Sequence, residues 1–368
     1  MLEFIAEYGL FLAKVVTVVV AIIVVIASIA SATHREKSQL EGHISVRDLN
    51  DKFEGTRDQL RSAIWSEERF KLEHKQQQKE EKRQRKSEKK ALKKSASKSS
   101  DSNNETDNEI STENGIENKR LFVLDFNGDM QASAVSNLRE EISAVLSFAS
   151  KNDEIVLRLE SPGGLVHSYG LAASQLQRIK AREIPLTICV DKVAASGGYM
   201  MACLGNKIIA APFAVLGSIG VVAQIPNFHR VLKKNDVDVE ILTAGEYKRT
   251  MTMLGENTDA GRSKFVEELE ETHDLFKEWV AEHRTQLDVA DVATGETWYG
   301  TRALKHKLVD EIMTSDDYIA GQIDEAKIFQ IRYEEKKSLQ QKFGMAASES
   351  MDGLIAKWWQ RLSGREFL

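Results

Sequence analysis

Two glycine-bearing runs, each placed directly after a predicted strand, are the first residues in this sequence whose types suggest chemistry. Residues 161–164 read Ser-Pro-Gly-Gly, and residues 194–198 read Ala-Ala-Ser-Gly-Gly. Glycine lets the backbone approach a ligand closely and leaves its N–H groups unobstructed, although either pair alone also fits a tight turn. Ser196 stands where a helix begins, near backbone donors and the positive end of the helix dipole. A nucleophile beside N–H donors is the arrangement that acyl transfer requires.

A serine nucleophile needs a base, and the residue types alone leave the identity of that base open. Eight histidines occur, and none shows a spacing that ties it to Ser196. A Ser-His-Asp triad is still compatible with the sequence, because triads are assembled in space. Lys248, which follows the apolar run 239–242, is a second candidate, since a desolvated lysine can act as a base. Nothing in the residues themselves raises Lys248 above the neighbouring Arg249.

A parallel α/β domain that begins near Lys119 is predicted to position these residues. Apolar runs typical of strands alternate with segments of helical periodicity, which indicates βαβ units and a largely parallel sheet. The strands are predicted at 120–126, 154–159 and 185–190, the helices at 133–150, 169–181 and 196–204, and short apolar pieces at 207–210 and 215.

An uncharged run near the N-terminus predicts a membrane anchor. Residues 15–30 carry no charge, and with residues 10–14 the run reaches the roughly 20 residues that a transmembrane helix needs. A cleaved signal peptide is the alternative, because Ala-Ser-Ala at 30–32 looks like a cleavage site. Residues 1–33 are therefore assigned to a single-pass transmembrane anchor in a lipid bilayer.

Residues 34–118 are predicted to form a charged linker that is disordered in part. The stretch 71–98 holds 12 basic and 4 acidic residues, and 101–118 holds six acidic residues and no basic one. Such segments bury too little apolar surface to offset the entropy of ordering, although short amphipathic helices fit the part before residue 70. Basic residues that follow the anchor favour a cytoplasmic catalytic domain. Residues 341–368 are assigned to an amphipathic C-terminal tail.

The composition limits the partners and cofactors to be expected. The net charge is −6, and the basic stretch has no interleaved aromatic side chains on which bases could stack, so no nucleic-acid partner is predicted. The two cysteines, Cys189 and Cys203, lack the spacing of metal ligands. Neither a metal nor any other cofactor is predicted.

Four motifs in a fixed order resemble the signal peptide peptidase A family. Besides the two glycine-bearing runs, they are Gly-Ser-Ile-Gly-Val at 217–221 and Gly-Glu-Tyr-Lys at 245–248. This resemblance implies that Ser196 is the nucleophile, that Lys248 is the general base and that Ser218 positions the lysine amine. It also implies that the N–H groups of Gly164 and Gly197 bind the oxyanion.

The same resemblance implies the fold and the activity. The fold would be the ClpP/crotonase-like superfold, with the peptidase domain at 119–340. The activity would be that of a membrane-anchored serine endopeptidase, acting on signal peptides or on membrane and envelope polypeptides. It would reside in the bacterial inner membrane, and the resemblance favours the periplasmic side over the cytoplasmic one. An acyl-CoA hydratase or isomerase of the same superfold, or a catalytically idle membrane scaffold, are the alternatives.

The motif count predicts an assembly. The sequence contains one serine motif and one lysine motif, without an internal repeat of either. In the family that the chain resembles, neighbouring domains contribute the serine and the lysine of one site. A chain with one copy of each motif would then form a homo-oligomeric ring in which the site is shared between subunits.

Overall fold

A computed structural model describes residues 42–66 and 119–335, together with a few isolated positions between residues 14 and 86. Residues Ile44–Tyr333 form one compact unit. The strands and helices below lie in this unit, except for the end residues His43 and Glu334.

Ten strands and nine helices are assigned within the described residues. The strands are β1 (His43–Asp48), β2 (Arg120–Asn127), β3 (Glu154–Glu160), β4 (Leu186–Val190), β5 (Val193–Ala195), β6 (Lys207–Ala210), β7 (Val215–Gly217), β8 (Thr297–Tyr299), β9 (Glu311–Ile312) and β10 (Lys327–Glu334). The helices are α1 (Leu49–Ile64), α2 (Val135–Leu146), α3 (Val166–Lys180), α4 (Gly197–Ala202), α5 (His229–Lys234), α6 (Asp259–His283), α7 (Val289–Val292), α8 (Gly300–Lys305) and α9 (Ser315–Gly321).

Two sheets organise these elements. The larger one has the strand order β1-β10-β2-β3-β4-β6-β9, and the strands from β10 to β9 pair in parallel. At its centre, Leu157 of β3 pairs with Leu124 on one side and Ile188 on the other. The smaller sheet has the order β5-β7-β8, in which only the β7–β8 pair is antiparallel. The α/β class predicted from the sequence is therefore confirmed, and the sheets are consistent with a ClpP-like fold.

Helices cover both faces of the larger sheet, which explains why its central strands are continuous apolar runs. One face packs against α2 and α3 through side chains such as Leu138 and Leu176, both fully buried. The other face packs against α1 and α9 through Leu49 and Ile319. Most residues of β2 and β3 and every residue of β4 are consequently buried.

The predicted N-terminal transmembrane helix requires a correction. Among the described helices, none is both long and apolar enough to cross a membrane. The longest of them, α6, has 25 residues but carries charged side chains along its length. Apart from Lys14 and Thr17, the predicted span 1–33 lies outside the described residues.

The disordered linker assigned to residues 34–118 also requires a correction near its start. Residues 43–64 belong to the folded unit as β1 and α1, and β1 is the edge strand beside β10. The Asn50 amide anchors this segment, because its Nδ2 donates to the carbonyls of Ile323 and Ala326 while its Oδ1 accepts from the Ile328 N–H. A charged segment thus gains order from tertiary contacts that its composition does not show. Residues 101–118 and the tail 341–368 lie outside the described residues.

A buried carboxylate on α2, Glu141, makes the stability of the fold depend on pH. Glu141 is 5% exposed, and its Oε1 accepts the Tyr333 N–H of β10 at 2.9 Å. Its Oε2 has no hydrogen-bond partner within the described ranges. Desolvation therefore raises the pKa of Glu141 from 4.5 to about 6.

We expect the Glu141→Gln variant to gain stability relative to the wild type as the pH rises. Because the folded-state pKa lies above the unfolded one, the proton-linked contribution is complete below about pH 4.5 and is lost through about pH 6. Between pH 4.5 and 7.5, the difference in unfolding free energy should shift by up to about 2 kcal/mol in favour of the variant. Urea denaturation at several pH values measures this shift. The exposed neighbour Glu140 provides the control, and a shift equally large in Glu140→Gln would contradict the assignment.

Candidate active site

The two glycine-bearing runs meet because β3 and β5 end side by side. Ser161, directly after β3, donates its N–H to the Val193 carbonyl at 2.8 Å, and its own carbonyl accepts the Ala195 N–H at 3.0 Å. This parallel bridge joins the end of one strand to the residues that precede Ser196. The sequence therefore brings Gly163 and its neighbours beside the candidate nucleophile through backbone pairing alone.

Ser196 occupies a strained turn between β5 and α4. Its φ is 52° and its ψ is −120°, in a region that residues other than glycine rarely adopt. The turn is held on both sides, since the Ser196 N–H donates to the Gly217 carbonyl at 2.8 Å and the Ser196 carbonyl accepts the Met200 N–H at 3.0 Å. The side chain consequently projects from a sharp strand-to-helix turn, as the nucleophilic serine does in α/β-hydrolases.

The two glycines of the loop at 161–164 pack so closely on their surroundings that neither position has room for a side chain. A Cβ on Gly163, whose φ is +92°, would lie 2.7 Å from both the Gly197 nitrogen and the Ser196 Cβ. A Cβ on Gly164 would lie 2.1 Å from the Met130 carbonyl oxygen. In the described part of the chain, neither the Gly164 N–H nor the Gly197 N–H donates a hydrogen bond. Both donors are thus free to receive an oxyanion.

Hydrogen bonds through the hydroxyl groups of Ser161 and Tyr169 hold the loop at 161–164 in place. The Gly163 N–H donates to the Ser161 Oγ at 3.1 Å, and the Tyr169 hydroxyl donates to the Asp129 carbonyl at 2.7 Å. The Ser161 Oγ lies 2.5 Å from the Tyr169 oxygen and must donate to it, because the tyrosine proton is already engaged. Tyr169 is fully buried, and a Cβ on Gly197 would lie 2.4 Å from its ring. Desolvation raises the pKa of Tyr169, so the phenol stays protonated in this role.

Ser218 follows β7 and lies on the same side of the fold as Ser196. Its φ is 51°, and its N–H donates to the Glu296 carbonyl at 2.6 Å. The preceding residue, Gly217, has a φ of +97° and holds the Ser196 N–H through its carbonyl. The end of β7 therefore connects both serines through the backbone.

Four of the five predicted site residues line one cleft of about 410 Å³. They are Gly164, Ser196, Gly197 and Ser218. The cleft also has an apolar lining, and a titratable side chain reaches it from α6, namely His273. The apolar residues are Val166, Met200, Val221, Val222 and Phe276.

The fifth predicted residue, Lys248, is not part of this cleft. It lies exposed in the segment between α5 and α6, where its N–H donates to the Gly245 carbonyl at 3.2 Å. The φ of +100° at Gly245 allows this tight turn. One chain thus brings Ser196, Gly164 and Gly197 together in one cleft but leaves Lys248 exposed outside it.

Comparison with known families decides the classification. The model described as "Peptidase family S49 N-terminal" matches residues 3–176, and the model described as "Peptidase family S49" matches residues 178–328. The chain belongs to peptidase family S49. As a member of S49, it is a serine-type peptidase, and the hydratase alternative is set aside.

Individual relatives of this S49 peptidase agree along its whole length. A protein named "Probable protease SohB" from Haemophilus influenzae is 48% identical over 369 residues, covering 100% of this chain and 99% of that protein. Another of the same name, from Buchnera aphidicola subsp. Schlechtendalia chinensis, is 46% identical over 318 residues, covering 86% and 99%. The resemblance to a peptidase family that the motifs suggested is thereby confirmed.

The S49 fold also brings in residues that sequence reasoning missed. Ser161 and Tyr169 hold the loop at 161–164 through hydrogen bonds, and no sequence signal marks either residue for that role. His273 lines the cleft, and its Nε2 lies 3.2 Å from the Ile219 carbonyl oxygen. Its spacing to Phe276 and Val280 on α6 follows the helical period and could have placed it on the buried face.

Proposed function

We propose that this S49 peptidase hydrolyses peptide bonds with Ser196 as nucleophile and Lys248 as general base, and that the two residues of each site come from neighbouring subunits. The observation that carries this proposal is the division of the site within one chain. Ser196, Gly164, Gly197 and Ser218 line one cleft, while Lys248 lies outside it and exposed.

The proposed chemistry proceeds through an acyl-enzyme. A neutral Lys248 amine takes the proton from the Ser196 hydroxyl as Oγ attacks the peptide carbonyl carbon. The N–H groups of Gly164 and Gly197 hold the oxyanion that forms, and the lysine ammonium then gives its proton to the departing amine. In the second half, Lys248 takes a proton from water, the hydroxide displaces Ser196 from the acyl group, and the serine recovers its proton.

Exposure of Lys248 supports a shared site, because a lysine acts as a base only where it is desolvated. A neighbouring subunit that covers Lys248 would remove water from the amine and bring its own Ser196 and Ser218 to it. The segment that carries the lysine also exposes large apolar side chains, which is typical of a surface that contacts another protein. They are Leu242, which is 90% exposed, together with Tyr247 and Leu254, and Val222 and Val231 lie exposed shortly before this segment.

The proposed substrates are apolar polypeptides such as signal peptides or segments of membrane and envelope proteins. Val166, Met200 and Phe276 give the cleft an apolar lining that suits apolar side chains of a bound peptide. Such substrates place the peptidase at the bacterial inner membrane, and the resemblance of the motifs favours the periplasmic face.

A fluorophosphonate serine probe tests the proposed nucleophile. We expect the wild type in bacterial membranes to be labelled at Ser196, as mapped by mass spectrometry, because the oxyanion donors and the base activate only this hydroxyl. Ser196→Ala should abolish labelling, whereas Ser174→Ala, at an exposed serine on α3, should not. A membrane-impermeant probe should label the site in intact spheroplasts.

Three results would each count against part of the proposal. Labelling that persists in Ser196→Ala would assign the nucleophile elsewhere, and a folded wild type that is never labelled would favour the idle scaffold. Labelling that requires lysed spheroplasts would place the site on the cytoplasmic face.

A further inference from the structure

Residues 219–227, of which Gly220, Val221 and Val222 line the cleft, are held by few backbone hydrogen bonds. The Ser218 N–H donates to the Glu296 carbonyl, and the Phe228 N–H donates to the Met253 carbonyl. Between these two points, the backbone of residues 219–227 makes a single hydrogen bond within the described parts of the chain. This bond joins the Ile219 carbonyl to His273 of α6 at 3.2 Å. Because a carbonyl only accepts, the His273 Nε2 carries the proton and donates it.

The helix that carries His273 is itself well fixed. Phe276 and Val280, on the same face of α6, are 4% and 0% exposed and belong to the hydrophobic core. Trp279 donates its Nε1–H to the Met200 carbonyl of α4 at 3.0 Å, next to the cleft. The imidazole therefore projects from a rigid support toward a segment that has almost no backbone support of its own.

The bond to His273 leaves one edge of the segment available to a substrate. Gly220, Val221 and Val222 line the cleft with Ser196, and their backbone N–H and C=O groups make no hydrogen bonds in the described ranges. An extended peptide can pair with such an edge, as in strand addition to a sheet. The Ile219 side chain is fixed by burial, and the Ile219 carbonyl is fixed by its hydrogen bond to the imidazole.

We propose that His273 is a positioning residue, which holds residues 219–222 as the edge against which a peptide substrate aligns for attack by Ser196. This role rests on the proposed function of Ser196 as nucleophile. His273 acts through the Ile219 carbonyl and takes no proton from the reacting groups. A small ester reaches Ser196 and the oxyanion donors without using this edge, whereas a peptide of several residues depends on it.

Two substrates and three variants test the role of His273. His273→Gln keeps an N–H donor at a similar reach, His273→Leu removes the donor but keeps much of the volume, and His273→Asn keeps an amide that is too short. Hydrolysis of an apolar fluorogenic heptapeptide is compared with hydrolysis of p-nitrophenyl butyrate. For His273→Leu and His273→Asn we expect kcat/KM for the peptide to fall about ten-fold, mainly through KM, while the ester rate stays unchanged. His273→Gln should retain most of the peptide activity.

The exposed Leu275 on the same helix supplies the control, and Leu275→Ala should alter neither substrate. Thermal unfolding of every variant identifies any that fail to fold. If His273→Leu does not fold, the comparison of His273→Gln with His273→Asn decides the outcome. Equal losses on both substrates, in His273→Gln as well as in His273→Leu, would assign His273 to proton transfer and overturn the positioning role. Unchanged peptide kinetics in His273→Leu and His273→Asn would overturn it as well. If instead Ser196→Ala still hydrolyses the ester, the proposed nucleophile fails, independently of the His273 result.

Discussion

Ser196→Ala and Lys248→Ala are each expected to lower kcat/KM for a peptide substrate by roughly 10⁴-fold or more, and the double variant is expected to lose little beyond that. The reason is that a nucleophile and its base act as a unit, so removing either one leaves only binding and oxyanion stabilisation. Steady-state hydrolysis of an apolar fluorogenic peptide, normalised to the concentration of folded protein, measures these losses.

Two more variants, Lys248→Arg and Arg249→Ala, separate the role of Lys248 as a base from a role as a positive charge. Lys248→Arg should be as inactive as Lys248→Ala, because a guanidinium stays protonated and cannot serve as a base. Arg249→Ala removes the adjacent positive charge and should change kcat/KM by less than about three-fold. A Lys248→Arg variant with near wild-type turnover would show that the residue supplies charge, and the base would then have to be sought elsewhere, with His273 the titratable group already in the cleft.

Local pattern was sufficient to predict the central part of the fold. The apolar runs at 120–126, 154–159 and 185–190 correspond to β2, β3 and β4 within one residue at each end. These strands are buried on both faces, so their composition alone separates them from helices. The segment β1–α1 was assigned to a charged linker instead, because it carries many charged side chains. What orders it is the contact of Asn50 with residues distant in the chain, and no local pattern reports such a contact.

Some residues of the candidate site were likewise predictable from the local sequence, whereas others depend on contacts between distant parts of the chain. Gly163 and Gly164 were recognisable because a close backbone approach demands glycine, and a Cβ at either position would clash. The support of that loop by Ser161 and Tyr169 depends on α3 packing over it, which the motifs do not encode. For Lys248, neither the local sequence nor the structure of one chain indicates a catalytic role, because it is exposed like an ordinary surface lysine. Only the resemblance of its motif to those of a known family points to that role.

Strain at the nucleophile links these observations to the proposed mechanism. Ser196 holds a positive φ that costs on the order of 1–3 kcal/mol, and the surrounding contacts maintain it. The Gly217 carbonyl on one side and the first turn of α4 on the other fix the backbone. The structure thus holds Ser196 and the backbone of Gly164 and Gly197 in place before any substrate binds. Under the proposed mechanism, only the base remains to be supplied, and this is the part for which we infer a second subunit.

Mixed oligomers of the two inactive variants are expected to regain activity. If Ser196 of one subunit works with Lys248 of its neighbour, random mixing of equal amounts of Ser196→Ala and Lys248→Ala subunits restores an intact pair at about a quarter of the sites. Roughly a quarter of wild-type activity should return, whereas a dyad within one chain would give none. The experiment uses co-expression with two different tags and tandem purification, so that every assembly assayed contains both variants.

Two further kinds of mixture, the first with the single variants and the second with the wild type, make the result quantitative. Either single variant mixed with the Ser196→Ala/Lys248→Ala double variant should stay inactive, because one member of the dyad is then missing from every subunit. Wild type mixed equally with the double variant should retain about a quarter of the activity if the site is shared, but about half if each chain holds its own dyad. Inactive mixtures of the two single variants, together with half activity in the second experiment, would place Lys248 beside Ser196 of the same chain. The exposed position of Lys248 would then require movement of the segment between α5 and α6 toward the cleft, rather than the arrival of a neighbouring subunit.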